Sequence, residues 1–280
     1  VRARAEHRAF DGRQGFYEHD STSCAGPMRF SVYLPPAALV PGARVPAVYF
    51  LAGLTCTEET FMLKAGAQRA AAALGLALVS CDTSPRAARF SGDDESWDFG
   101  LGAGFYVDAT CAPWSSAYRM HSYVVDELPA LVEHEFPVDG GARGIFGHSM
   151  GGHGALVLAL RHPDRYRSVS AFAPISAPTQ VPWGQKAFTG YLGADRARWA
   201  EWDACELVRR RPFPGTLVVD QGTADQFLTA QLEPERLRAA CEAAGQPLVL
   251  RMRAGYDHSY WFIASFVEEQ LRHHAAVLRS

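Results

Sequence analysis

Gly144-Ile145-Phe146-Gly147-His148-Ser149-Met150-Gly151-Gly152-His153-Gly154 is the stretch that decides the fold. It begins as the end of a short apolar strand, passes through a glycine-flanked serine and enters a helix-forming run, Ala155 to Leu160. Gly147-x-Ser149-x-Gly151 fits the pattern of a nucleophile elbow. A serine at the apex of a sharp strand-to-helix turn holds a strained backbone, and a side chain two positions away on either side would collide with the turn. The elbow brings the Ser149 hydroxyl into the open. It also sets it at a helix start, where unpaired backbone N–H groups can stabilise an oxyanion. The same residues could form an ordinary glycine-rich turn; the strand before and the helix after favour the nucleophile.

Outward from the elbow, Pro46-Ala47-Val48-Tyr49-Phe50-Leu51 is a near-continuous apolar run, as expected of a strand buried on both faces, and it stops at Ala52-Gly53. Thr55-Cys56-Thr57-Glu58 fits a capping box, and Thr60 to Leu74 reads as one helix closed by Gly75. Leu76 to Ser80 is the next strand. Nearer the start, Phe10 to Tyr17 and Met28 to Leu34 alternate and read as antiparallel strands, the second ended by Pro35-Pro36. From Cys81 to about Trp114 the chain is irregular, and a loop of that length points to function. Tyr118 to Glu135 reads as a helix capped by Ser115 or Ser116 and kinked at Pro129. Ser168–Ala173, Thr216–Val219 and Leu248–Met252 read as strands, Pro234–Ala244 and Trp261–Leu278 as helices. Between 174 and 214, Pro174, Pro178, Pro182 and Gly184 read as loop residues ahead of a short helix near Trp199 to Val208. This alternation implies a mostly parallel central sheet flanked by helices, with antiparallel N-terminal strands. With the elbow in mid-chain it is the α/β-hydrolase pattern, read here as a single domain over residues 1–280.

Composition narrows the function. A net charge of −3 over 280 residues gives no electrostatic case for nucleic acid or an anionic membrane as partner. Val1 to Arg8 is charged and lacks an apolar core, so no signal peptide is expected. No apolar run approaches the length of a membrane span. The six cysteines are scattered without a CxxC pair, and the ten histidines contain no HExxH. No metal or other cofactor is expected, and a reduced, cytoplasmic protein is. His273-His274 reads as a solvated helix end.

A serine nucleophile needs a base and the base an orienting acid, and in this fold they follow in the order serine, acid, histidine. Among the histidines beyond His153, His162 lies at the remote end of the helix leaving the elbow, and His273 and His274 lie far along the last helix. His258 sits between the last strand and the last helix, at a strand's carboxyl end, where open α/β sheets bind ligands; it is the expected base. The acid should follow the strand 216–219, which leads into Asp220-Gln221-Gly222-Thr223-Ala224-Asp225. Asp225, farther out past Gly222, is favoured over Asp220, and Asp257 is a third choice that also suits a turn. The oxyanion donors are expected at the backbone N–H groups of Met150 and of the Gly53-Leu54 region, with Leu54 preferred.

The chain closely resembles the S-formylglutathione hydrolase (esterase D) family. The resemblance runs through Gly53-Leu54-Thr55-Cys56-Thr57, Lys64 to Arg69, Asp82 to Arg86, Trp97-Asp98-Phe99-Gly100 and the elbow itself. It continues in Pro182-Trp183-Gly184-Gln185-Lys186-Ala187-Phe188, Asp220 to Leu228 and Gly255 to Tyr260. It implies a cytoplasmic, homodimeric serine thioesterase that splits S-formylglutathione into glutathione and formate in formaldehyde detoxification, with side activity on simple esters. It assigns the triad to Ser149, Asp225 and His258 and the oxyanion donors to Leu54 and Met150. Cys56, Trp97 and Trp183 are expected to contact substrate. Two positions depart from the family pattern: Ala52, where a serine is common, and Trp261, where tyrosine or phenylalanine is frequent and where the pocket rim is expected to change.

Overall fold

The computed structural model describes residues 1–280. Nine strands form one sheet: β1 (Arg2–Ala9), β2 (Gly12–Ser21), β3 (Gly26–Leu34), β4 (Val45–Leu51), β5 (Ala77–Cys81), β6 (Val138–His148), β7 (Ser168–Phe172), β8 (Leu217–Gly222) and β9 (Leu248–Arg253). Their order is β1-β2-β3-β5-β4-β6-β7-β8-β9. Pairings from β1 to β5 are antiparallel, and those from β5 through β4 to β9 are parallel. Every residue of β5 and β7 is buried, as a parallel sheet covered on both faces requires. The flanking helices are α1 (Glu58–Lys64), α2 (Gln68–Leu74), α3 (Leu128–Glu135), α4 (Met150–Arg161), α5 (Pro182–Leu192), α6 (Ala204–Arg210), α7 (Pro234–Ala244) and α8 (Tyr260–Leu278). This is the expected α/β-hydrolase architecture. Aromatic packing fixes its centre: Phe50 of β4 lies 3.8 Å, centroid to centroid, from Phe61 of α1 and 4.9 Å from Phe146 of β6. The strands that lead to Gly53-Leu54 and to Ser149 therefore share one rigid cluster.

Several sequence expectations change. The first strand, Arg2–Ala9, is an almost wholly exposed edge strand of alternating arginine and alanine, so no buried face marks it in the sequence. Phe10 is not in a strand; with Asp11 it makes a two-residue turn in which both φ angles are positive, 50° and 58°. The helix expected from Thr60 to Leu74 is two helices, broken at Ala65–Ala67 around Gly66. The capping box is made by Thr57 with Thr60, two residues later than expected. Tyr118–Glu135 is interrupted by a π-helical turn at Tyr123–Glu127, and neither Ser115 nor Ser116 caps it. Pro182 and Gly184 lie inside α5, with Pro182 in the first turn, where its missing N–H costs nothing.

His274 departs furthest from expectation. It is fully buried, not a solvated helix end. Ser170 Oγ donates to Gln270 Oε1 at 2.8 Å, so it must accept from His274 Nε2–H at 2.9 Å. Ser168 Oγ then donates to Nδ1 at 2.6 Å. Gln270 Nε2 donates onward to Ala171 O and to Asp220 Oδ2, at 3.0 and 2.9 Å. The imidazole is neutral and every polar neighbour is paired, which is the condition for burying such a group.

Candidate active site

The expected site residues sit at the carboxyl ends of four parallel strands. Gly53 and Leu54 follow β4, Ser149 follows β6, Asp225 follows β8 and His258 follows β9. Ser149 has φ 58° and ψ −119°, the strained apex of an elbow. The glycine requirement is steric: a Cβ on Gly151 would overlap the Leu51 carbonyl, and one on Gly147 would overlap the backbone of Gly151. Ser149 N donates to Phe172 O at 3.0 Å, which ties the apex to β7.

Asp225, not Asp220, is brought to the histidine. His258 Nδ1 donates to Asp225 Oδ2 at 2.6 Å. The carboxylate also accepts from Gln221 Nε2 at 3.2 Å and from Phe227 N at 2.8 Å. Two loops make this contact possible. Ala224 N donates to Tyr256 O at 2.9 Å and Gly255 N to Thr223 Oγ1 at 3.0 Å. At Gly222 any Cβ would overlap the Tyr256 carbonyl, so only glycine lets the loops approach this closely. Asp220 is buried and held by Arg251 Nε at 2.8 Å, Arg253 Nε at 2.7 Å and Gln270. Asp257 accepts from Ser259 N and Oγ, which is a turn role.

The loop after β4 lies directly against the serine, since a Cβ on Gly53 would stand 3.2 Å from Ser149 Cβ. Its carbonyls are tied back: Ala52 O accepts from Tyr106 Oη at 2.8 Å, and Cys56 O from Thr83 Oγ1 at 2.6 Å and Arg86 Nη2 at 3.1 Å. Thr55 N donates to Gly102 O at 2.9 Å. The loop is thus rigid, and the N–H of Leu54 is not spent on these ties.

A cavity of about 240 Å³ opens here, lined by Gly53, Leu54, Cys56, Trp97, His148, Ser149, Trp183, Phe227, His258, Ser259 and Tyr260. Of the irregular stretch 81–114 only Trp97 reaches it, meeting Trp183 edge to face at 5.5 Å. Phe99 instead stacks on Tyr191 at 4.6 Å. Burial pushes the Cys56 thiol above its usual range, opposed by hydrogen bonds to Thr60 and Tyr260. The sequence reading passed over His148, Phe227 and Tyr260, although each lies within two residues of a member of the expected triad. His148 is 5% exposed and packs 4.4 Å, centroid to centroid, from His258. Burial first, and then the neighbouring His258, push it well below the usual histidine range, so it stays neutral beside His258. His153, on the far side of the elbow, points away from the cavity and meets the Phe105 carbonyl.

Residues 21–273 match the family model described as "Putative esterase". The S-formylglutathione hydrolase of Mus musculus is 51% identical over 280 residues, covering 99% of this chain and 98% of that protein. The S-formylglutathione hydrolase of Paracoccus denitrificans is 51% identical over 271 residues, 97% of this chain and 96% of that protein. The solved S-formylglutathione hydrolase of Agrobacterium tumefaciens superposes with a TM-score of 0.94 at 45% identity, covering 99% of this chain and 100% of that one. The chain belongs to the S-formylglutathione hydrolase family. A ferulic acid esterase at 18% identity and TM-score 0.75 shares the fold alone. Against the family pattern, neither departure enters the cavity lining. Ala52 is buried, with its carbonyl held by Tyr106, and Trp261 is 82% exposed at the start of α8.

Proposed function

We propose that the protein is a serine thioesterase that hydrolyses S-formylglutathione to glutathione and formate, with Ser149 as nucleophile, His258 as base and Asp225 as the orienting acid. The observation that carries the reading is the 2.6 Å contact from His258 Nδ1 to Asp225 at the wall of the cavity that also holds Ser149. Because Nδ1 is spent on the carboxylate, Nε2 is the nitrogen left to take the serine proton. Ser149 Oγ attacks the thioester carbonyl as His258 takes its proton. The oxyanion is received by the N–H groups of Met150 and Leu54. Collapse breaks the C–S bond, and His258 returns its proton to the departing glutathione thiolate. Water, deprotonated by His258, then attacks the formyl-serine ester; the C–Oγ bond breaks, His258 returns the proton to Ser149 Oγ, and formate is released. Cys56, Trp97 and Trp183 bound the substrate in this reading, and a formyl group is the acyl group best suited to so small a cavity.

The same reading makes the protein a cytoplasmic homodimer. Six free thiols and no disulfide suit a reducing compartment. No helix is long and apolar enough to cross a membrane. The deciding experiment is the rate on S-formylglutathione beside that on a p-nitrophenyl ester, for the wild type and for Ser149→Ala. Turnover of the thioester that survives in Ser149→Ala rejects the assignment. A wild type that turns over only the ester makes it a general carboxylesterase.

A further inference from the structure

We infer that Lys64 receives the glycyl carboxylate of the glutathione moiety, with the γ-glutamyl end directed to the opposite rim at Lys186 and Asp98. This rests on the thioesterase reading above and adds the orientation of the peptide.

Of 27 basic residues only two are lysines, Lys64 and Lys186; neither lines the cavity that contains the serine and histidine, but each adjoins one of its walls, Lys64 at Tyr260 and Lys186 beside Trp97 and Trp183. Lys64 ends α1, and its Nζ lies 6.0 Å from the ring centroid of Tyr260, a wall of the cavity. Its charge is felt at the Cys56 thiol, another wall residue. Lys186 is one helical turn beyond Trp183 and reaches across to Asp98, beside Trp97, and to Ser96 Oγ at 2.7 Å. The two tryptophans and the tyrosine therefore separate two differently charged rims. Lys64 is exposed and joins no ion pair, so that rim carries a free positive charge. The other rim carries an ion pair, with both signs side by side.

The substrate has the matching asymmetry. Both peptide arms leave from the cysteine that bears the thioester. The glycyl arm ends in a carboxylate alone, and the γ-glutamyl arm ends in a carboxylate and an ammonium on one carbon. A cavity of about 240 Å³ falls below the roughly 300–1,000 Å³ that encloses a drug-sized ligand. It takes the formyl thioester and leaves the charged ends at the rim. A lone anion is best met by the free cation, and a zwitterion by the ion pair, since the reverse docking sets the glycyl carboxylate beside Asp98 and brings an ammonium next to Lys64. Lysine suits the task because its compact charge rides on a flexible stem.

The test is a cycle of Lys64→Met against amidation of the glycyl carboxylate, with S-formylglutathione and its glycyl amide as substrates. For the wild type, amidation should raise KM about three- to tenfold, the scale of a part-exposed charge pair, with a much smaller change in kcat. Lys64→Met should raise KM for the parent substrate by the same factor and show no further rise with the amide. Lys64→Arg should restore most of the loss. An amide penalty that persists undiminished in Lys64→Met, or a parent KM unchanged by that substitution, overturns the orientation and leaves the thioesterase reading standing. A wild type that does not hydrolyse S-formylglutathione refutes that reading itself and the orientation with it.

Discussion

Replacing Asp225 with asparagine exchanges one carboxylate oxygen of a fully buried side chain for an NH2 group, and the surroundings dictate the result. All three neighbours of the carboxylate are donors: His258 Nδ1 and Gln221 Nε2 at Oδ2, and Phe227 N at Oδ1. A carboxamide must aim its NH2 at one side. On the Oδ1 side it meets the Phe227 N–H head on and leaves two donors unpaired, which costs about 1–3 kcal/mol each. On the Oδ2 side there is relief. Gln221 Oε1 is buried without a partner, so a flip of that amide lets it accept from the new NH2, at the loss of the Nε2 bond to Gly222 O. The asparagine therefore donates toward His258 Nδ1, which accepts only if the ring proton moves to Nε2. That tautomer cannot take the serine proton. The expected loss in kcat is about 10⁴-fold, or about 5 kcal/mol of transition-state stabilisation, with the fold retained. Steady-state hydrolysis of S-formylglutathione with matched circular dichroism measures it. A kcat within tenfold of the wild type would refute the tautomer argument. Asp220→Asn, within β8 itself, is the contrast. It strips the charge that Arg251 and Arg253 surround and should cost about 3–5 kcal/mol of stability. Its kcat per folded molecule should stay near the wild-type value.

Bulky thiol reagents should inhibit by filling the cavity at Cys56, and Cys56→Ala should abolish the inhibition; full labelling of Cys56 with activity unchanged would contradict this. Gly151→Ala should destabilise by about 1–3 kcal/mol through overlap with the Leu51 carbonyl, read as a fall of several degrees in Tm. Stability should also fall in acid for a nameable reason. Burial holds His153 at about 4, and His148 and His274 well below 6.5, so the unfolded chain takes up protons that the native state refuses. That contribution is complete above pH 6.5, declines at about 1.4 kcal/mol per pH unit for each such group below it, and for His153 levels off under pH 4. Urea midpoints at pH 7, 6 and 5 should show the decline, and His153→Gln should make it shallower.

The centre of this protein was legible in its sequence because its strands are buried on both faces. Runs such as Val48 to Leu51 and Ile145 to Phe146 are unbroken apolar stretches, and the elbow glycines have no substitute. The loop bearing Asp225 could be found because β8 is such a strand, whereas β9 ahead of His258 is only partly buried and was legible from its place before the last helix. What stayed hidden depends on neighbours distant in sequence. The edge strand Arg2–Ala9 buries no face, so it carries no periodicity to read. α5 begins on a proline and contains a glycine, and local propensity argued against it. Spacing ranked Asp225 over Asp220 only weakly, because two arginines on β9, 31 and 33 residues away, are what claim the other aspartate. His274 looked solvated because nothing nearby in the chain announces Ser168 and Ser170, which receive it.

That buried network also bears on how the native state breathes. Ser168 and Ser170 lie on β7, Asp220 on β8, Arg251 and Arg253 on β9, and Gln270 and His274 on α8. The loops that carry Asp225 and His258 leave from the ends of β8 and β9, so neither strand can detach without exposing a chain of paired polar groups at once. Backbone amides of β7 and β8 should therefore exchange with deuterium only through the largest openings, while those of β1 at the exposed edge exchange first. On that picture the catalytic geometry survives until the protein as a whole unfolds, and activity and global structure should be lost along a single denaturation curve.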